Sequence, residues 1–92
     1  MALLGEGEIE QRLSGLGGWK RDGDAITKTF EGEDFESSVA LVNRLAPQAE
    51  ELNHHPDLEI SWNKVTVTVS THSEGGLTEN DFELAGRIDG VA

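Results

Sequence analysis

The sequence predicts an α+β fold, with three helices packed on one face of a four-stranded antiparallel sheet in the order α-β-β-α-β-β-α. Two pairs of segments alternate apolar and polar residues, and a short polar turn separates the members of each pair. Apolar residues recur at helical spacing before, between and after these pairs. Because two hairpins cannot form a parallel sheet on their own, one antiparallel sheet covered by helices is the economical arrangement. At 92 residues, the chain is expected to form a single domain over residues 1–92.

The first helix is predicted over residues 6–16, where polar residues separate three apolar side chains: Ile9, Leu13 and Leu16. Gly17 and Gly18 are expected to end it, because glycine takes the left-handed conformation at a helix C-terminus without strain. Short strands are predicted near residues 19–21 and 25–30. The intervening Asp-Gly is a strong hairpin signal, so these strands should pair.

The second helix is predicted to begin after Asp34, a good N-cap. Its apolar positions recur at helical spacing: Phe35, Val39, Val42 and Leu45. Pro47 lacks a backbone donor and crowds the preceding turn, so we expect a kink or break near Ala46. The pattern then resumes and should end around residues 53–54, because Pro56 disfavours helical geometry in the residue before it.

The second hairpin and the last helix complete the predicted fold. Residues 58–62 and 65–69 alternate apolar and polar side chains around the polar pair Asn63-Lys64. Thr78-Glu79-Asn80-Asp81 has the form of a capping box and should open the third helix. The apolar residues available for its packing are Phe82, Leu84, Ala85 and Ile88.

Composition excludes several classes of function. Eighteen acidic residues against seven basic ones give a formal charge of −11, which would repel a phosphate backbone, and no Lys/Arg cluster offsets it. We therefore discard nucleic-acid binding. There is neither a basic leader nor a long apolar run, so no signal peptide, membrane span or membrane partner is expected and the cytoplasm is the default location. The chain has no cysteine, so it has neither disulfides nor thiolate ligands.

All three histidines lie between residues 54 and 72: His54, His55 and His72. Imidazole is the side chain best matched to proton transfer near neutral pH, so three of them suit a reaction that moves protons to and from one small substrate. Glu50 and His54 are four residues apart and can share a helix face. His72 follows the last strand, so the hairpin register could return it towards His54 and His55.

Other interpretations of these residues stay open on chemistry alone. A histidine at a helix end is commonly a cap or a solvated side chain, and Glu50 is by default a solvated helix residue. Trp62 is by default a core residue, and Asp81 is by default the acidic member of its capping box. Three histidines can also support catalytic zinc, although the adjacent His54 and His55 are poor partners for one metal.

The spacing of seven residues then matches a known family. His-His-Pro alone would be a weak signal, whereas the whole spaced set is a strong one: Glu50, His54, His55, Pro56, Trp62, His72 and Asp81. With this set the chain resembles the pterin-4a-carbinolamine dehydratases, from about Trp19 to Ala92. The stretches Asn63-Lys64-Val65, Val69-Ser70-Thr71-His72 and Gly76-Leu77-Thr78 also look like that family.

The resemblance implies a fold that agrees with the α+β arrangement above, and it implies a reaction. This reaction is loss of water from 4a-hydroxytetrahydrobiopterin to give the quinonoid dihydropterin, which recycles the pterin used by aromatic amino-acid hydroxylases. The resemblance implies neither a metal nor an organic cofactor, and it implies a homodimer or homotetramer.

The resemblance also implies roles for the residues of the site. His54, His55 and His72 would form the catalytic cluster, with His54 and His72 as the proton-transfer pair and His55 orienting the substrate. The other family positions would bind or orient the substrate or support the histidines: Glu50 orienting His54, Pro56, Trp62 walling the pocket and Asp81 hydrogen-bonding near it.

Two other functions compete with this one. Some relatives double as dimerisation partners of a transcription factor, so the fold could serve as a non-catalytic protein-interaction module. The presence of all three histidines together with Glu50 and Asp81 favours the enzyme. A dehydratase acting on another pterin, such as a molybdopterin-like compound, would carry the same residues.

Overall fold

The computed structural model describes residues 2–92, and three α-helices and four strands form its framework. In chain order the elements are α1 (Glu6–Ser14), β1 (Lys20–Asp22), β2 (Ala25–Glu31), α2 (Phe35–Leu52), β3 (Asp57–Ser61), β4 (Lys64–Val69), a short 3₁₀ helix (His72–Glu74) and α3 (Glu79–Val91). The sheet is antiparallel throughout, with strand order β1-β2-β4-β3. The predicted order α-β-β-α-β-β-α is confirmed, and β1 and β3 form the two edges of the sheet.

The core lies between one face of the sheet and the helices. The buried apolar residues from strands and helices pack together in one cluster, of which the most enclosed are Ile26, Leu45, Val65, Val67, Val69, Leu84 and Ile88. Full burial of each such side chain contributes about 1.5–3 kcal/mol of transfer free energy. The opposite face carries threonines, whose hydroxyls pair across strands (Thr27 with Thr68, Thr29 with Thr66). The helices therefore cover one face only, as predicted.

The helix α1 is shorter than the predicted 6–16. It ends at Ser14, and Gly15 N–H and Leu16 N–H bond three residues back, which tightens the last turn. Arg12 ties α1 to α3 through an ion pair with Glu79 at 2.9 Å. This carboxylate, followed by that of Glu8, raises the pKa of the Arg12 guanidinium.

The two hairpins have turns of two residues each. In the first, the hairpin forms as predicted, but its turn residues are Gly23-Asp24, because Asp22 pairs with Ala25, and Gly23 lies in the left-handed region at φ 61°. In the second, Trp62 occupies the left-handed region at φ 51°, which strains a residue with a side chain. Two side chains anchor this turn: the Ser38 hydroxyl donates to the Trp62 carbonyl at 2.6 Å, and the Asn63 amide donates to the Gly32 carbonyl at 3.0 Å.

The helix α2 begins as predicted, with Asp34 as its N-cap. The Asp34 carboxylate accepts hydrogen bonds from the Ser37 backbone N–H and from the Ser37 hydroxyl, both at 2.8 Å. These two bonds, the backbone one first, lower the pKa of Asp34 below its ordinary value. The cap therefore acts with its carboxylate charged.

The expected break near Ala46 does not occur. The helix α2 runs from Phe35 through Pro47 to Leu52 without interruption. Asn43, Ala46 and Pro47 are exposed, so the carbonyl that loses its helical donor lies on the solvent side, while the opposite side of the helix packs on the sheet. Packing of that buried side holds the helix together where local propensity alone favours a break.

Candidate functional site

Four chain segments meet at the end of the sheet opposite the Trp62 turn. They are the C-terminus of α2, the start of β3, the end of β4 and the start of α3. Asn53 adopts the left-handed conformation at φ 49° and turns the chain away from α2. The His54 N–H then bonds back to the Ala49 carbonyl at 3.0 Å, which fixes His54 against the last turn of the helix.

His54 forms a pair with a buried carboxylate. Its Nε2 lies 2.6 Å from Oδ1 of Asp81, and the side chain of His54 is 12% exposed while that of Asp81 is 0% exposed. Asp81 lies in the first turn of α3, where the helix dipole stabilises an anion. His54 lies just past the C-terminus of α2, where the dipole stabilises a cation. Both helices therefore favour a charged pair at this point.

The second oxygen of Asp81 is also fully engaged. Oδ2 accepts from the Thr71 hydroxyl at 2.8 Å and from the Thr78 backbone N–H at 2.9 Å. The hydroxyls of Thr71 and Thr78 are 2.8 Å apart, and both residues are buried. Asp81 is thus the acidic member of the predicted capping box and the partner of His54 at the same time.

His55 pairs with Glu50 at the surface. Its Nε2 contacts Oε2 of Glu50, and the two side chains are largely exposed. The expected pairing of Glu50 with His54 does not form, because the left-handed Asn53 takes His54 off the helical path before the four-residue spacing can act. Glu50 therefore supports His55, and Asp81 supports His54.

His72 lies at the same end of the sheet, and the backbone hydrogen bonds of the preceding residue, Thr71, hold its loop there. Its Nε2 is 3.9 Å from Oδ2 of Asp57, and both side chains are 75% exposed. Thr71, the preceding residue, holds the base of the loop by accepting from and donating to the backbone of Gly76 and Gly75. His72 thus directly follows Thr71, the residue that donates to Asp81. Each of the three histidines faces a carboxylate.

Pro56 and Trp62, the other predicted substrate-contacting residues, are placed differently from each other. Pro56 and His55 line an apolar groove of about 360 Å³ between α2 and β3, together with Val42, Leu45, Ala46, Ala49, Glu50 and Leu58. Trp62 lies at the far end of β3, about 16 Å along a five-residue strand, and is 66% exposed. Within this chain Trp62 therefore does not wall a pocket at the histidines, nor is it a core residue.

In the part of the chain that the structure describes, no set of side chains is arranged to bind the zinc ion that three histidines could support. Over residues 2–92, no three imidazole or carboxylate groups converge as they would around a metal ion. Each histidine faces a different carboxylate instead. In the same residues, no helix combines the length and the apolar character that a bilayer crossing requires.

Thr71 and Thr78 also belong to this end of the sheet, although no sequence pattern predicts a role for them beside the histidines. Thr78 was visible as an N-cap, and Thr71 as the neighbour of His72, but no local rule connects either hydroxyl with Asp81 across the fold. A threonine directly before a histidine at a strand end was the one available signal.

Comparison with known proteins gives a consistent assignment. The family model described as pterin 4 alpha carbinolamine dehydratase matches residues 2–91. A relative from Roseiflexus castenholzii, named "Putative pterin-4-alpha-carbinolamine dehydratase", is 51% identical over 98% of this chain and 97% of its own. A protein of the same name from Thermosynechococcus vestitus is 49% identical over 97% of this chain and 94% of its own.

Two solved structures are also similar. A transcriptional coactivator/pterin dehydratase from Brucella melitensis superposes with a TM-score of 0.95 at 36% identity, covering 99% of both chains. A pterin dehydratase-like protein described as a RuBisCO assembly factor in the alpha-carboxysome has a TM-score of 0.66 at 23% identity, covering 80% of this chain and 86% of its own, and shares the fold alone. Given the family match and the full-length relatives, this chain belongs to the pterin-4α-carbinolamine dehydratase family.

Proposed function

We propose that this protein is a dehydratase that removes water from 4a-hydroxytetrahydrobiopterin and releases the quinonoid dihydropterin. The observation that carries the proposal is the arrangement of three histidines at one end of the sheet, each facing a carboxylate, with the His54–Asp81 pair buried. A carboxylate next to imidazole stabilises the protonated ring, which is the form that a general acid needs. Membership of the family supports the choice of a pterin as substrate.

The reaction needs two proton transfers at adjacent atoms of the pterin. The C4a–O bond breaks and the departing hydroxide takes a proton from a general acid, while N5 loses its proton to a general base and the C4a=N5 bond forms. Water is the other product, and the proton given up balances the proton received. Each well-positioned group of this kind contributes about 10²–10⁴-fold to a rate.

We assign the two proton transfers to His54 and His72 and the orientation of the substrate to His55. Asp81 holds His54 in one orientation, and the ring of His54 keeps a small exposed fraction through which a substrate can meet it. His72 is exposed and close to Asp57, so its ring is free to reach a bound molecule. His55, with Glu50 behind it and Pro56 beside it, borders the apolar groove and suits contact with a flat heterocycle.

Self-association accompanies this proposal. Three of the exposed apolar side chains, Val39, Leu58 and Ile60, are on α2 and the edge strand β3. An apolar helix face beside an unpaired strand edge favours contact with a second copy. We therefore include a homodimer or homotetramer in the proposed function. A cytoplasmic location belongs to the proposal as well, on the expectation from the sequence.

A protein-interaction role is the second candidate, and the same exposed apolar residues favour it. The similar structure from Brucella melitensis is described as a transcriptional coactivator as well as a pterin dehydratase. In that case the surface on α2 and β3 would hold a different protein, and the histidines would have no substrate. The two candidates differ in whether a pterin is turned over.

The test follows the ultraviolet absorbance of freshly generated 4a-hydroxytetrahydrobiopterin in the presence of a chelator, with spontaneous dehydration as the baseline. Wild type should accelerate the decay, and His54→Ala and His72→Ala should each lose about 10²-fold or more of that acceleration. His55→Ala should act mainly through a higher KM. Glu33→Gln changes an exposed carboxylate between β2 and α2, at the opposite end of the sheet from the histidines, and as the matched control it should behave as wild type.

Three results would contradict the proposal. No acceleration by wild type would move the interaction role to first place. Loss of activity in chelator with recovery on adding zinc would replace histidine acid–base chemistry by metal chemistry. Activity retained in His54→Ala but lost in His55→Ala would exchange the roles of the two adjacent histidines.

A further inference from the structure

A chain of hydroxyl groups lies behind the His54–Asp81 pair. The Thr71 hydroxyl is 2.8 Å from Oδ2 of Asp81 and 2.8 Å from the Thr78 hydroxyl. Thr71 is 7% exposed, and Thr78 and Asp81 are 0% exposed, so water does not compete freely for these groups. Every buried polar side-chain atom in the described residues has a hydrogen-bond partner.

The direction of each bond in this chain follows from counting hydrogens. A threonine hydroxyl has one hydrogen, and that of Thr71 is committed to the Asp81 carboxylate. The Thr78 hydroxyl must therefore be the donor to Thr71, because Thr71 has only lone pairs left. The order is Thr78 O–H to Thr71, then Thr71 O–H to Asp81, and Oδ1 of Asp81 is left for His54.

This order leaves one hydrogen to be placed between Asp81 and His54. A carboxylate group only accepts, so with Asp81 as a carboxylate Nε2 of His54 carries that hydrogen. In the proposed reaction, Nδ1 is then the ring nitrogen that exchanges a proton with the substrate. If the Thr71 hydroxyl were missing, Oδ2 would keep only the Thr78 backbone N–H, and the carboxylate could rotate away from His54.

We infer that the Thr71 hydroxyl is a positioning group that fixes the orientation and tautomer of His54 through Asp81. The inference deepens the proposed function and depends on it for its kinetic part. Thr71 also precedes His72, and its backbone N–H and carbonyl bond Gly76 and Gly75 at the base of that loop. One residue thus positions both members of the proton-transfer pair, His54 by its side chain and His72 by its backbone.

The experiment compares substitutions that separate the hydroxyl from the shape of the side chain. Thr71→Val keeps the shape and removes the hydroxyl, whereas Thr71→Ser keeps the hydroxyl and removes the methyl group. Thr29→Val is the matched control, because Thr29 also pairs with a threonine hydroxyl, that of Thr66 at 3.0 Å, but on the open face of the sheet. The readouts are kcat and KM for pterin dehydration, and ¹⁵N spectra of the His54 imidazole, which report its tautomer.

We expect Thr71→Val to lower kcat about tenfold, the factor that corresponds to one lost hydrogen bond to a charged group, with KM within about twofold. Thr71→Ser should stay within about threefold of wild type, and Thr29→Val should match it. In the spectra, wild type and Thr71→Ser should keep one tautomer with hydrogen on Nε2, and Thr71→Val should show exchange between two. If Thr71→Val fails to fold, Thr71→Cys replaces it. A thiol is a weaker hydrogen-bond donor than a hydroxyl, so the kcat of Thr71→Cys should be lower than that of wild type and Thr71→Ser but not zero.

An unchanged kcat in Thr71→Val would overturn the inference, as would a Thr71→Ser variant as slow as Thr71→Val, because packing would then explain the effect. If wild type does not accelerate dehydration, the proposed function fails, yet the spectra still decide on Thr71. A fixed His54 tautomer in Thr71→Val overturns its positioning role, and a tautomer lost in Thr71→Val but kept in Thr71→Ser supports it.

Discussion

The two ends of the β3–β4 hairpin both bury polar side chains, but they use them for different purposes. At the turn end, the Ser38 hydroxyl and the Asn63 amide donate to main-chain carbonyls, those of Trp62 and Gly32. These bonds satisfy backbone acceptors and end there. None of the four groups titrates near neutral pH.

At the site end, the donated hydrogen bonds converge on a side chain. Thr71 and the Thr78 N–H both donate to Asp81, and Asp81 faces the imidazole of His54. The same kind of hydroxyl that closes a turn at one end thus supports a titratable pair at the other. The two ends therefore differ in the group that accepts the last hydrogen bond. It is a main-chain carbonyl at the turn end and the Asp81 carboxylate at the site end.

Replacing that last acceptor should have the largest effect. We expect Asp81→Asn to lower the dehydration rate about 10²-fold and the free energy of unfolding by about 1–3 kcal/mol, because an amide cannot accept from His54 and Thr71 on both sides. Stopped-flow absorbance and urea denaturation measure the two effects. Wild-type activity in Asp81→Asn would mean that His54 needs no partner.

At the turn end, a change of similar chemistry should affect stability alone. Ser38→Ala removes the donor to the Trp62 carbonyl, which we expect to cost about 1–2 kcal/mol of unfolding free energy. The kcat should stay within about twofold of wild type. A loss of kcat equal to that of Asp81→Asn would show that the two ends are coupled and would remove the contrast between them.

A smaller effect of opposite sign is expected at Trp62. The left-handed backbone there strains a large residue, and asparagine tolerates this region better. Trp62→Asn should raise the free energy of unfolding of the monomeric chain by up to about 1 kcal/mol. Urea denaturation at low protein concentration measures it, and a destabilised variant would show that the contacts of the indole outweigh the strain.

The smallest effect concerns Asp34, which caps α2 near the turn end. Hydrogen bonds from Ser37 lower the pKa of this carboxyl, so its contribution to stability is present above the ordinary value of 3.8 and is lost as the pH falls through the lowered pKa. Asp34→Ala should therefore lower Tm by a few degrees near neutral pH and by nothing in strong acid. A difference in Tm that persists unchanged in acid would contradict the charge-dependent cap.

Much of the fold could be predicted because its signals are local. The hairpin signal of Asp22-Gly23, the alternation along residues 65–69 and the Thr78–Asp81 capping box each need only neighbouring residues to be recognised. The predicted break near Pro47 is wrong because it too depends on neighbouring residues alone. Its local preference for a break is real, but packing of the opposite side of α2 against the sheet is not visible in the sequence.

The resemblance predicts the candidate site as a set of residues, and that set stays a prediction; it does not predict which side chains pair with each other. The spacing of four residues predicts that Glu50 contacts His54. The left-handed backbone of Asn53 turns His54 away from the helix, and Glu50 contacts His55 instead. The true partner of His54 lies 27 residues away at Asp81. Tertiary pairing of this range has no signature in one sequence, and the same holds for Thr71.

The double use of Asp81, as helix cap and as histidine partner, constrains how the chain can change in length. One residue inserted or deleted between His72 and Asp81 would have two effects at once. It would shift the start of α3, and it would move the Asp81 carboxylate away from His54. The two-residue turn at Gly23-Asp24 is exposed, yet it lies at the same end of the sheet, where Asp24 lines a surface depression together with His72. For protein engineering, the length of the segment before α3 must therefore be kept, and an insertion at the Gly23-Asp24 turn would crowd His72.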